Sequence, residues 1–361
     1  MAQSHLFSPL TLRNTTFRNR LWVSPMCQYS VDKHDGVATD WHLVHLGSMA
    51  RGGAGVVMLE ATAVVPEGRI AREDLGLWND NQRDAMVRLV EVIHSHGAGA
   101  AVQLAHAGRK ASVYRPWEPD RTGTVPEADG GWQTLAPSAI PFDGMSVPRE
   151  MTIEDIDAVV EAFGLATRRA VEAGFDAVEI HAAHGYLVHQ FLSPLSNTRT
   201  DSYGGSAENR ARLLLRIIAA VRAEIGELPV SVRFSATDYA DGGLTPDDVA
   251  VFAGWAGVAG ADLIDVSTGG LVAGVSIPLS PGYQVPHAEL IRRETGLCTA
   301  AVGLITDAAQ AETIVSSGQA DVVLVGREFL RNPHFALQAA AKLGERLSYS
   351  PPQYGRAPYE H

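Results

Sequence analysis

The sequence predicts a protein of the α/β class, a single-domain (β/α)8 TIM barrel, and three observations support this fold. Short apolar runs alternate along the chain with segments that have the periodicity of amphipathic helices. Most of the apolar runs are continuous, as expected for parallel strands that are buried on both faces. The chain has 361 residues, which suits one barrel of about 250 residues with insertions.

Eight runs are predicted to form the barrel strands. In chain order they are Arg20–Pro25, Gly55–Glu60, Ala100–Leu104, Ala177–His181, Val230–Phe234, Leu263–Ser267, Cys298–Val302 and Val322–Val325. An open, doubly wound sheet is the alternative arrangement, but no G-x-G-x-x-G motif follows the first strand. The alternation of strands and helices therefore favours a closed parallel barrel.

Helix start signals lie between these strands. Asn79 is predicted to open one helix, and Thr152, which is followed by two acidic residues, is predicted to open another. After the fifth strand, Thr245 precedes a proline and two acids, which is the pattern of a capped first turn. The pair Thr306–Asp307 has the same position after the seventh strand.

One domain, residues 1–361, is expected, with three additions to the barrel. Residues 1–19 are predicted to form a hairpin that caps the barrel floor. The segment 106–150 is rich in Pro, Gly and Asp. Because it is too long for an ordinary connection, it is predicted to be an insertion or lid after the third strand. Residues 350–361 are predicted to be an irregular tail.

Composition and charge argue against several classes of function. The net charge is −12, and no cluster of Lys and Arg marks a nucleic-acid surface. No apolar run has the length of a membrane span, and no secretory segment opens the chain. Two cysteines, Cys27 and Cys298, are too few for a multi-bridge disulfide framework or a four-thiolate iron–sulfur cluster. We therefore expect a cytoplasmic protein without nucleic-acid or membrane partners.

Three side chains crowd the end of the predicted fourth strand, where barrel enzymes carry out their chemistry. His181 and His184 are three residues apart, a spacing that places two rings on one face of a helical turn. They are interpreted as a zinc-binding pair, as two N–H donors to one developing oxyanion, or as core histidines. No H-E-x-x-H motif is present, and no metal site is predicted. Tyr186 is a candidate proton donor or a packing residue at the rim, because a phenol has an ordinary pKa of about 10.

Further polar residues stand at other strand ends. Cys27 follows the first strand and is a candidate nucleophile, metal ligand, cofactor contact or buried apolar residue. Gln103 ends the third strand, and Lys110 shortly after it is a candidate for Schiff-base formation, charge binding or solvent exposure. Arg233 ends the fifth strand, where a buried guanidinium requires an anionic partner. Cys298 lies at the opposite end of its strand and is expected to be structural.

A phosphate site is predicted at the ends of the last two strands. Gly303 ends the seventh strand, and Gly326 and Arg327 follow the eighth. Barrels often bind phosphate between these loops, because glycine lets backbone N–H groups approach and arginine adds a bidentate donor. A phosphate there and hydrogen-bonding groups on strands three to five suit one elongated cofactor, and FMN has that shape.

These motifs together resemble the old yellow enzyme family, and in particular its bacterial branch of NADPH dehydrogenases, xenobiotic reductases and thermophilic-like ene-reductases. The resembling stretches are Asn19–Tyr29, Glu60–Val64, Gln103–Lys110, Ala136–Ser138, His181–Arg210, Arg233–Phe234 and Val325–Arg327. They are spread over nearly the whole chain in the expected order. Many family members have Thr in place of Cys27 and Asn in place of His184, and these two differences indicate the bacterial branch.

The resemblance implies a non-covalent FMN site built from most of the strand ends. The implied contacts are Ser24, Pro25, Met26, Cys27, Ala61, Gln103 and Arg233 around the ring, and Gly269, Gly303, Gly326 and Arg327 around the phosphate. Arg233 is implied to stabilise negative charge near flavin N1, and Cys27 to tune the reduction potential. The implied substrate-binding residues are Tyr29, Lys110, His181, His184 and Arg356, and the implied proton donor is Tyr186.

The resemblance also implies a reaction. NADPH, or alternatively NADH, is expected to reduce FMN and leave, after which an alkene conjugated to a carbonyl or nitro group takes its place. Hydride from flavin N5 and a proton from Tyr186 then reduce the C=C bond with ping-pong kinetics. A homodimer or homotetramer is implied, in which Arg356 enters the neighbouring subunit's site. The rival classes are a zinc hydrolase on the two histidines, an aldolase that uses Lys110, and a non-catalytic flavin carrier.

Overall fold

Eight parallel strands close into a barrel within residues 4–118, 121–357 and 359, which are the residues that the computed structural model describes. Residues 1–3, 119–120, 358 and 360–361 belong to the predicted cap, insertion and tail and lie outside the described residues. Helices surround the barrel. This architecture confirms the predicted (β/α)8 TIM barrel.

Short accessory strands accompany the barrel strands. The strands are β1 (Leu10–Leu12), β2 (Thr15–Phe17), β3 (Leu21–Val23), β4 (Val56–Ala63), β5 (Gly99–Ala105), β6 (Leu135–Ala136), β7 (Arg149–Glu150), β8 (Ala177–Ala182), β9 (Val230–Ser235), β10 (Leu263–Ser267), β11 (Cys298–Ala301) and β12 (Val322–Val325). Around the barrel the order is β3, β4, β5, β8, β9, β10, β11 and β12, and β12 pairs with β3 to close it.

The outer layer consists of α-helices and short 3₁₀ turns. The α-helices are α1 (Asp40–Arg51), α2 (Asp80–Ser95), α3 (Ile153–Ala173), α4 (Leu187–Leu192), α5 (Ala207–Ile225), α6 (Pro246–Ala259), α7 (Val285–Thr295), α8 (Ala308–Ser316), α9 (Arg327–Arg331) and α10 (Phe335–Lys342). The 3₁₀ turns are Pro66–Gly68, Gly108–Lys110, Glu127–Asp129 and Pro352–Tyr354. Among the described helices, none is long and apolar enough to cross a bilayer.

The predicted helix starts are confirmed. The side chains of Asn79, Thr152 and Thr245 each accept a hydrogen bond from the backbone N–H three residues later, so they cap α2, α3 and α6. In the pair Thr306–Asp307, the cap of α8 is Asp307, whose carboxylate accepts from two backbone N–H groups. Local side-chain chemistry therefore determines where these helices begin.

Two strand ends differ from the prediction by more than one residue. The first barrel strand ends at Val23 rather than Pro25, because proline has no N–H to contribute to a ladder. The second strand extends to Ala63, because a register shift within it lets its pairing with β5 continue. This shift brings Ala61 opposite Gln103.

The hairpin of β1 and β2 closes the amino-terminal end of the barrel. Phe17 is 2% exposed, and its ring packs edge-to-face on Trp22 with the centroids 4.9 Å apart. The same apolar cluster contains Leu10, Leu12, Val56, Met58, Leu263 and Val322. Because apolar side chains fill this end, the polar strand-end residues meet at the opposite end.

The segment 106–150 joins loops at the carboxyl-terminal end of the barrel. It contains β6 and β7, which pair in parallel. The guanidinium of Arg109 donates to the carbonyl of Leu271, after β10, at 2.8 Å and to that of Ile140 at 3.2 Å. Arg109 therefore ties the segment to the turn that follows β10.

Candidate active site

Strand register brings predicted site residues together at the carboxyl ends of the strands. Ala61 pairs with Gln103 across β4 and β5, and His181 pairs with Arg233 across β8 and β9. Each of these four residues is at most 5% exposed. The barrel thus places an amide, an imidazole and a guanidinium around one end of its interior.

His181, His184 and Tyr186 form one aromatic group at this end. The ring centroid of His181 lies 5.1 Å from that of His184 and 5.0 Å from that of Tyr186, and both contacts are edge-to-face. The two histidines do not share a helical turn, although their spacing would place two rings on one face of a helix. His181 lies in β8, whereas His184 lies in a turn with a left-handed φ of +58°. This turn, rather than helical periodicity, brings the second ring to the first.

The turn packs directly on the turn that follows β10. Gly185 has a φ of +73°, and a Cβ atom on it would stand 2.3 Å from the carbonyl oxygen of Gly270. A Cβ atom on Gly270 would stand 2.7 Å from Cα of His184. Glycine at both positions therefore permits a backbone approach that any other residue would prevent.

Lys110 links the same two turns. Its ammonium donates to the carbonyl of His184 at 2.8 Å and to that of Gly270 at 2.9 Å. It also lies 5.1 Å from the ring centroid of Tyr186. Burial, with a smaller effect of Arg109, lowers the pKa of Lys110 to about 8. Support of the site turn was not among the roles predicted for this lysine, but it is the role that its contacts display.

The buried pair of His189 and Asp238 supports the turn that contains His184 and Gly185. Nδ1 of His189 accepts from the N–H of Gly185 at 2.9 Å, and its Nε2 lies 2.8 Å from a carboxylate oxygen of Asp238. Both side chains are fully buried. Because Nδ1 is an acceptor, the ring proton is on Nε2, where it faces the carboxylate.

Both site imidazoles are neutral at physiological pH. Burial, followed by the nearby guanidinium of Arg233, holds the pKa of His181 and of His184 well below the usual value of about 6.5. Nδ1 of His181 accepts from the N–H of Ala183 at 3.2 Å, so Nε2 carries the proton and is a donor. Nε2 of His184 lies 2.7 Å from Oγ of Ser267, a partner that sequence reasoning missed.

Tyr186 is a protonated phenol beside the two imidazoles. Its backbone forms the N-cap of α4, directly after the turn. Burial raises the pKa of the phenol, and the neighbouring Cys27 and Asp74 raise it further. The side chain packs with Cys27 and Tyr29 against an apolar cluster that includes Ala61. At neutral pH this group can donate a proton but cannot act as a base.

Cys27 is held as a thiol. Burial raises its pKa well above the usual value, and the carboxyl groups of Asp74 and Glu60 act in the same direction. The backbone of Ala61 and the side chain of Tyr29 hydrogen-bond to the sulfur. A nucleophile or metal ligand requires the thiolate, which this environment disfavours. Contact with a cofactor and apolar packing are the roles that fit the thiol.

A buried polar layer lies one step below the imidazoles, on β5, β8, β9 and β10. Nε2 of Gln103 donates to Glu179 at 2.8 Å, and Nε of Arg233 lies 3.2 Å from Asp265. Nη1 of Arg233 also donates to Oγ of Ser24 at 3.2 Å. Sequence reasoning anticipated an anionic partner for Arg233 but missed both acids. The available signal for these acids was the position of Glu179 and of Asp265 within a continuous apolar run.

A cavity of about 270 Å³ lies between the ends of β11 and β12. Its lining includes Gly303, Gly326 and Arg327, which were predicted to bind phosphate, and also Met26, Arg233, Ser267, Gln284 and Arg331. Gly303 has a φ of +118°, and a Cβ atom on it would stand 2.7 Å from the side-chain amide nitrogen of Gln284, so any other residue would be strained there. Glycine backbone and guanidinium groups fit a phosphate, and the adjoining polar layer fits the ring edge of FMN.

Gly269, predicted to contact the phosphate, and Arg356, predicted to bind the substrate, are both outside the lining of this cavity. The carbonyl of Gly269 accepts from Ser235 at 2.8 Å in the turn after β10. Arg356 is exposed in the tail, near a ring contact between Tyr354 and His334 at 5.3 Å. A larger groove of about 1030 Å³ beside the tail shares no lining residue with the strand-end cavity. In the described part of the chain, no three His, Cys, Asp or Glu side chains are grouped to hold a metal ion.

Sequence comparison identifies relatives along almost the whole chain. The model of the NADH:flavin oxidoreductase / NADH oxidase family matches residues 5–345. An NADPH dehydrogenase of Listeria innocua is 54% identical over 355 residues, which represent 98% of this chain and 99% of that protein.

Solved structures share the fold. An old yellow enzyme homologue of Zymomonas mobilis matches with a TM-score of 0.77 and 27% identity, over 95% of this chain and 94% of that one. A 2-naphthoyl-CoA reductase matches with a TM-score of 0.85 and 26% identity over 94% of this chain. The chain spans about half the length of that larger protein, 52%.

Proposed function

The chain belongs to the NADH:flavin oxidoreductase / NADH oxidase family, as an old yellow enzyme, and from that premise we propose that it is an ene-reductase. It binds FMN and uses NAD(P)H as its reductant. The proposed substrates are alkenes conjugated to a carbonyl or nitro group. The group formed by His181, His184 and Tyr186, with ring centroids 5.1 and 5.0 Å from His181, carries the proposal.

The residues around the strand ends are suited to hold FMN along its length. The proposed contacts are Ser24, Pro25, Met26, Cys27, Ala61, Gln103 and Arg233 for the ring, and Gly269, Gly303, Gly326 and Arg327 for the phosphate. When bound, FMN would supply hydride transfer from NAD(P)H to the alkene. Arg233 would stabilise the negative charge that reduction places near N1.

The two imidazoles would bind and polarise the oxygen of the substrate. His181 has a donor at Nε2, because its Nδ1 already accepts a backbone N–H. His184 would be the second donor, and its ring is oriented by Ser267. Removing one preorganised donor to a developing oxyanion typically costs about 10²–10³ in rate. Because both rings are neutral, they stabilise charge without giving up a proton.

Tyr186 would deliver the proton to the α-carbon. Its phenol remains protonated through neutral pH, because burial raises its pKa. It also lies next to the imidazoles that hold the substrate oxygen. Transfer of hydride and proton to neighbouring carbons then completes reduction of the C=C bond.

Nicotinamide and alkene would share the same space, which predicts ping-pong kinetics. We further propose a cytoplasmic homodimer or homotetramer in which Arg356 of one subunit reaches the site of its neighbour. The exposure of Arg356 is compatible with that role. Tyr29 and Lys110 would line the substrate side of the pocket.

The aldolase alternative conflicts with the contacts of Lys110. Its ammonium donates to two backbone carbonyls that belong to opposing turns. A Schiff base has at most one N–H on this nitrogen, so its formation would break at least one of the two hydrogen bonds that hold the turn carrying His184. Lys110 is therefore better suited to support the site than to react in it.

Substitution Tyr186→Phe tests the proposed proton donor. The alkene half-reaction should slow by about 10²–10⁴-fold, the usual contribution of a general acid. Reduction of the flavin by NADPH should remain within about twofold, because that step needs no proton from the phenol. Stopped-flow absorbance of bound FMN measures the two half-reactions separately.

Tyr203→Phe is the matched control for this experiment. Tyr203 is 5% exposed, and its hydroxyl accepts from Arg216 away from the site. Both half-reactions should be unchanged in this variant. Equal losses of both half-reactions in Tyr186→Phe, or a normal alkene half-reaction, would show that Tyr186 is not the proton donor.

A further inference from the structure

The buried polar layer beneath the site contains more acid than base. Glu179 and Asp265 are fully buried, and Arg233 is 4% exposed. Register places Glu179 between Gln103 and Ser231, and it places Asp265 beside Arg233. One guanidinium therefore faces two carboxyl groups inside the barrel.

The two acids have different partners. Asp265 lies 3.2 Å from the Nε atom of Arg233. Glu179 has neutral donors, the amide of Gln103 at 2.8 Å and the hydroxyl of Ser231 at 3.1 Å. Asp265 is thus the acid that the guanidinium neutralises. An additional buried carboxylate without its own cation is unfavourable, so one proton resides on Glu179.

We propose that Glu179 is a redox-linked proton site, which stays protonated at neutral pH and takes up a proton from solvent when bound FMN is reduced at alkaline pH. This inference rests on the proposed placement of the flavin ring against Gln103 and Arg233. Glu179 would act through those two residues and is a positioning residue rather than a catalytic one.

The charges of the layer explain why reduction of the flavin would be coupled to protonation of Glu179. The groups that face Glu179 are Gln103 on β5, Ser231 and Arg233 on β9, and Asp265 on β10. With Glu179 protonated, Asp265 and Arg233 leave the layer neutral. An ionised Glu179 would add a negative charge beneath the reduced flavin, where Arg233 already compensates one negative charge. Reduction therefore increases the affinity of Glu179 for a proton.

The direction of the pKa shift is consistent with this account. Burial, followed by the charge of Asp265, raises the pKa of Glu179 above its usual value, whereas Arg233 and the two neutral donors oppose the shift. Burial raises the pKa of Asp265 as well, whereas Arg233, followed by Glu179, opposes that shift. Because Arg233 pairs with Asp265, the proton resides on Glu179 and is retained into the neutral range.

The number of protons taken up on reduction can be measured from the pH dependence of the reduction potential. Reduction of bound FMN by dithionite takes up two electrons and one proton at the ring. Where the oxidised enzyme has an ionised Glu179, a second proton enters from solvent. Each additional proton makes the equilibrium constant change a further tenfold per pH unit, which is about 30 mV for a two-electron couple.

The experiment is potentiometric titration of the FMN-loaded enzyme from neutral to alkaline pH. The slope of the wild type should exceed that of Glu179→Gln by about 30 mV per pH unit over the alkaline part of this range. Lys110 also titrates there, because its pKa is about 8. It is present in both proteins, so the difference isolates Glu179. Identical slopes would overturn the proposal.

Asp262→Asn is the matched control, because it removes a carboxylate at the amino-terminal end of the barrel, where Asp262 pairs with Arg222 at 2.6 Å. Its slope should equal that of the wild type, and a slope as shallow as that of Glu179→Gln would overturn the assignment. The infrared difference spectrum between reduced and oxidised wild type gives a second readout. A protonated-carboxyl band should appear on reduction at alkaline pH, and its absence would also overturn the proposal.

Neither measurement uses an alkene or NADPH. A protein that reduces alkenes but shows no extra proton uptake would overturn this inference and leave the proposed function intact. A protein that shows the uptake but does not reduce alkenes would overturn the proposed function and leave this inference intact.

Discussion

His181 and His184 show how burial decides the chemistry of a side chain. An exposed histidine changes charge near pH 6.5. In this site burial and Arg233 lower the pKa of both rings, so their neutral forms persist on the acid side of that value. An imidazolium would be a stronger donor, but it would also stand beside a guanidinium. In the proposed function, two neutral donors would therefore polarise the substrate.

The alkene half-reaction should consequently be insensitive to pH around the ordinary histidine pKa. From about pH 5.5 to about pH 7.5, its rate should vary less than about twofold, because neither ring gains a proton. Stopped-flow reoxidation of the reduced enzyme measures this rate, and the flavin absorbance at each pH verifies that cofactor remains bound. An inflection near pH 6.5 would indicate a titrating imidazole and contradict this prediction.

The same shift has a consequence for stability. The folded-state pKa of these rings lies below the unfolded value, so the unfolded chain binds more protons once the pH falls below about 6.5. The stabilising contribution of the two neutral rings is complete above that pH and decreases as the pH falls through it.

At the scale of elements, the site depends on two turns that touch through their backbones. The turn after β8 carries His184 and Gly185, and the turn after β10 carries Gly270. Lys110 donates to both turns, and His189 binds the first one from behind. The strands supply rigid ends, while these contacts set the orientation of the second imidazole. Substitutions in either turn should therefore affect chemistry and stability together.

Gly185→Ala should be costly for this reason. Its left-handed φ costs about 1–2 kcal/mol for a residue with a Cβ atom. The collision with the carbonyl of Gly270 should add about 1–3 kcal/mol. Urea unfolding of the FMN-loaded protein measures the loss, and the alkene half-reaction should slow as well. Gly205→Ala is the control, because Gly205 has a φ of +78° but no atom within 4 Å of the added Cβ. Equal losses in the two variants would contradict the role of the backbone contact.

At the scale of the whole molecule, the barrel separates stability from chemistry. Its amino-terminal end is filled by the hairpin and by Phe17 and Trp22. Its carboxyl-terminal end holds the imidazoles, the phenol and the cavity that is proposed to bind phosphate. A change at the apolar end should therefore alter the free energy of unfolding without changing the environment of the flavin.

Phe17→Ala tests this separation. Removing a fully packed phenyl group should lower the free energy of unfolding by about 3–5 kcal/mol. The visible spectrum of bound FMN should be unchanged in the protein that remains folded. Val258→Ala is the control: its side chain is 92% exposed, so the loss should stay within about 0.5 kcal/mol. A shifted flavin spectrum in Phe17→Ala would show that the two ends are coupled.

Local patterns were sufficient for the barrel, the helix starts and most of the candidate site. Continuous apolar runs identify strands buried on both faces, and Asn79, Thr152 and Thr245 mark helix starts, because both signals arise from neighbours in the chain. Residues at the ends of successive parallel strands must meet at one edge. For that reason the grouping of Gln103 and Arg233 followed from the order of elements.

Contacts between distant segments decided the rest. The left-handed turn at His184, the bridge from Lys110 to Gly270 and the pair of Glu179 with Asp265 join residues that are far apart in the chain. The local sequence around an acidic residue in a strand is the same whether its carboxyl group faces a guanidinium or another carboxyl group. Only closure of the barrel determines which charges share the dry interior, and that environment sets where the protons reside.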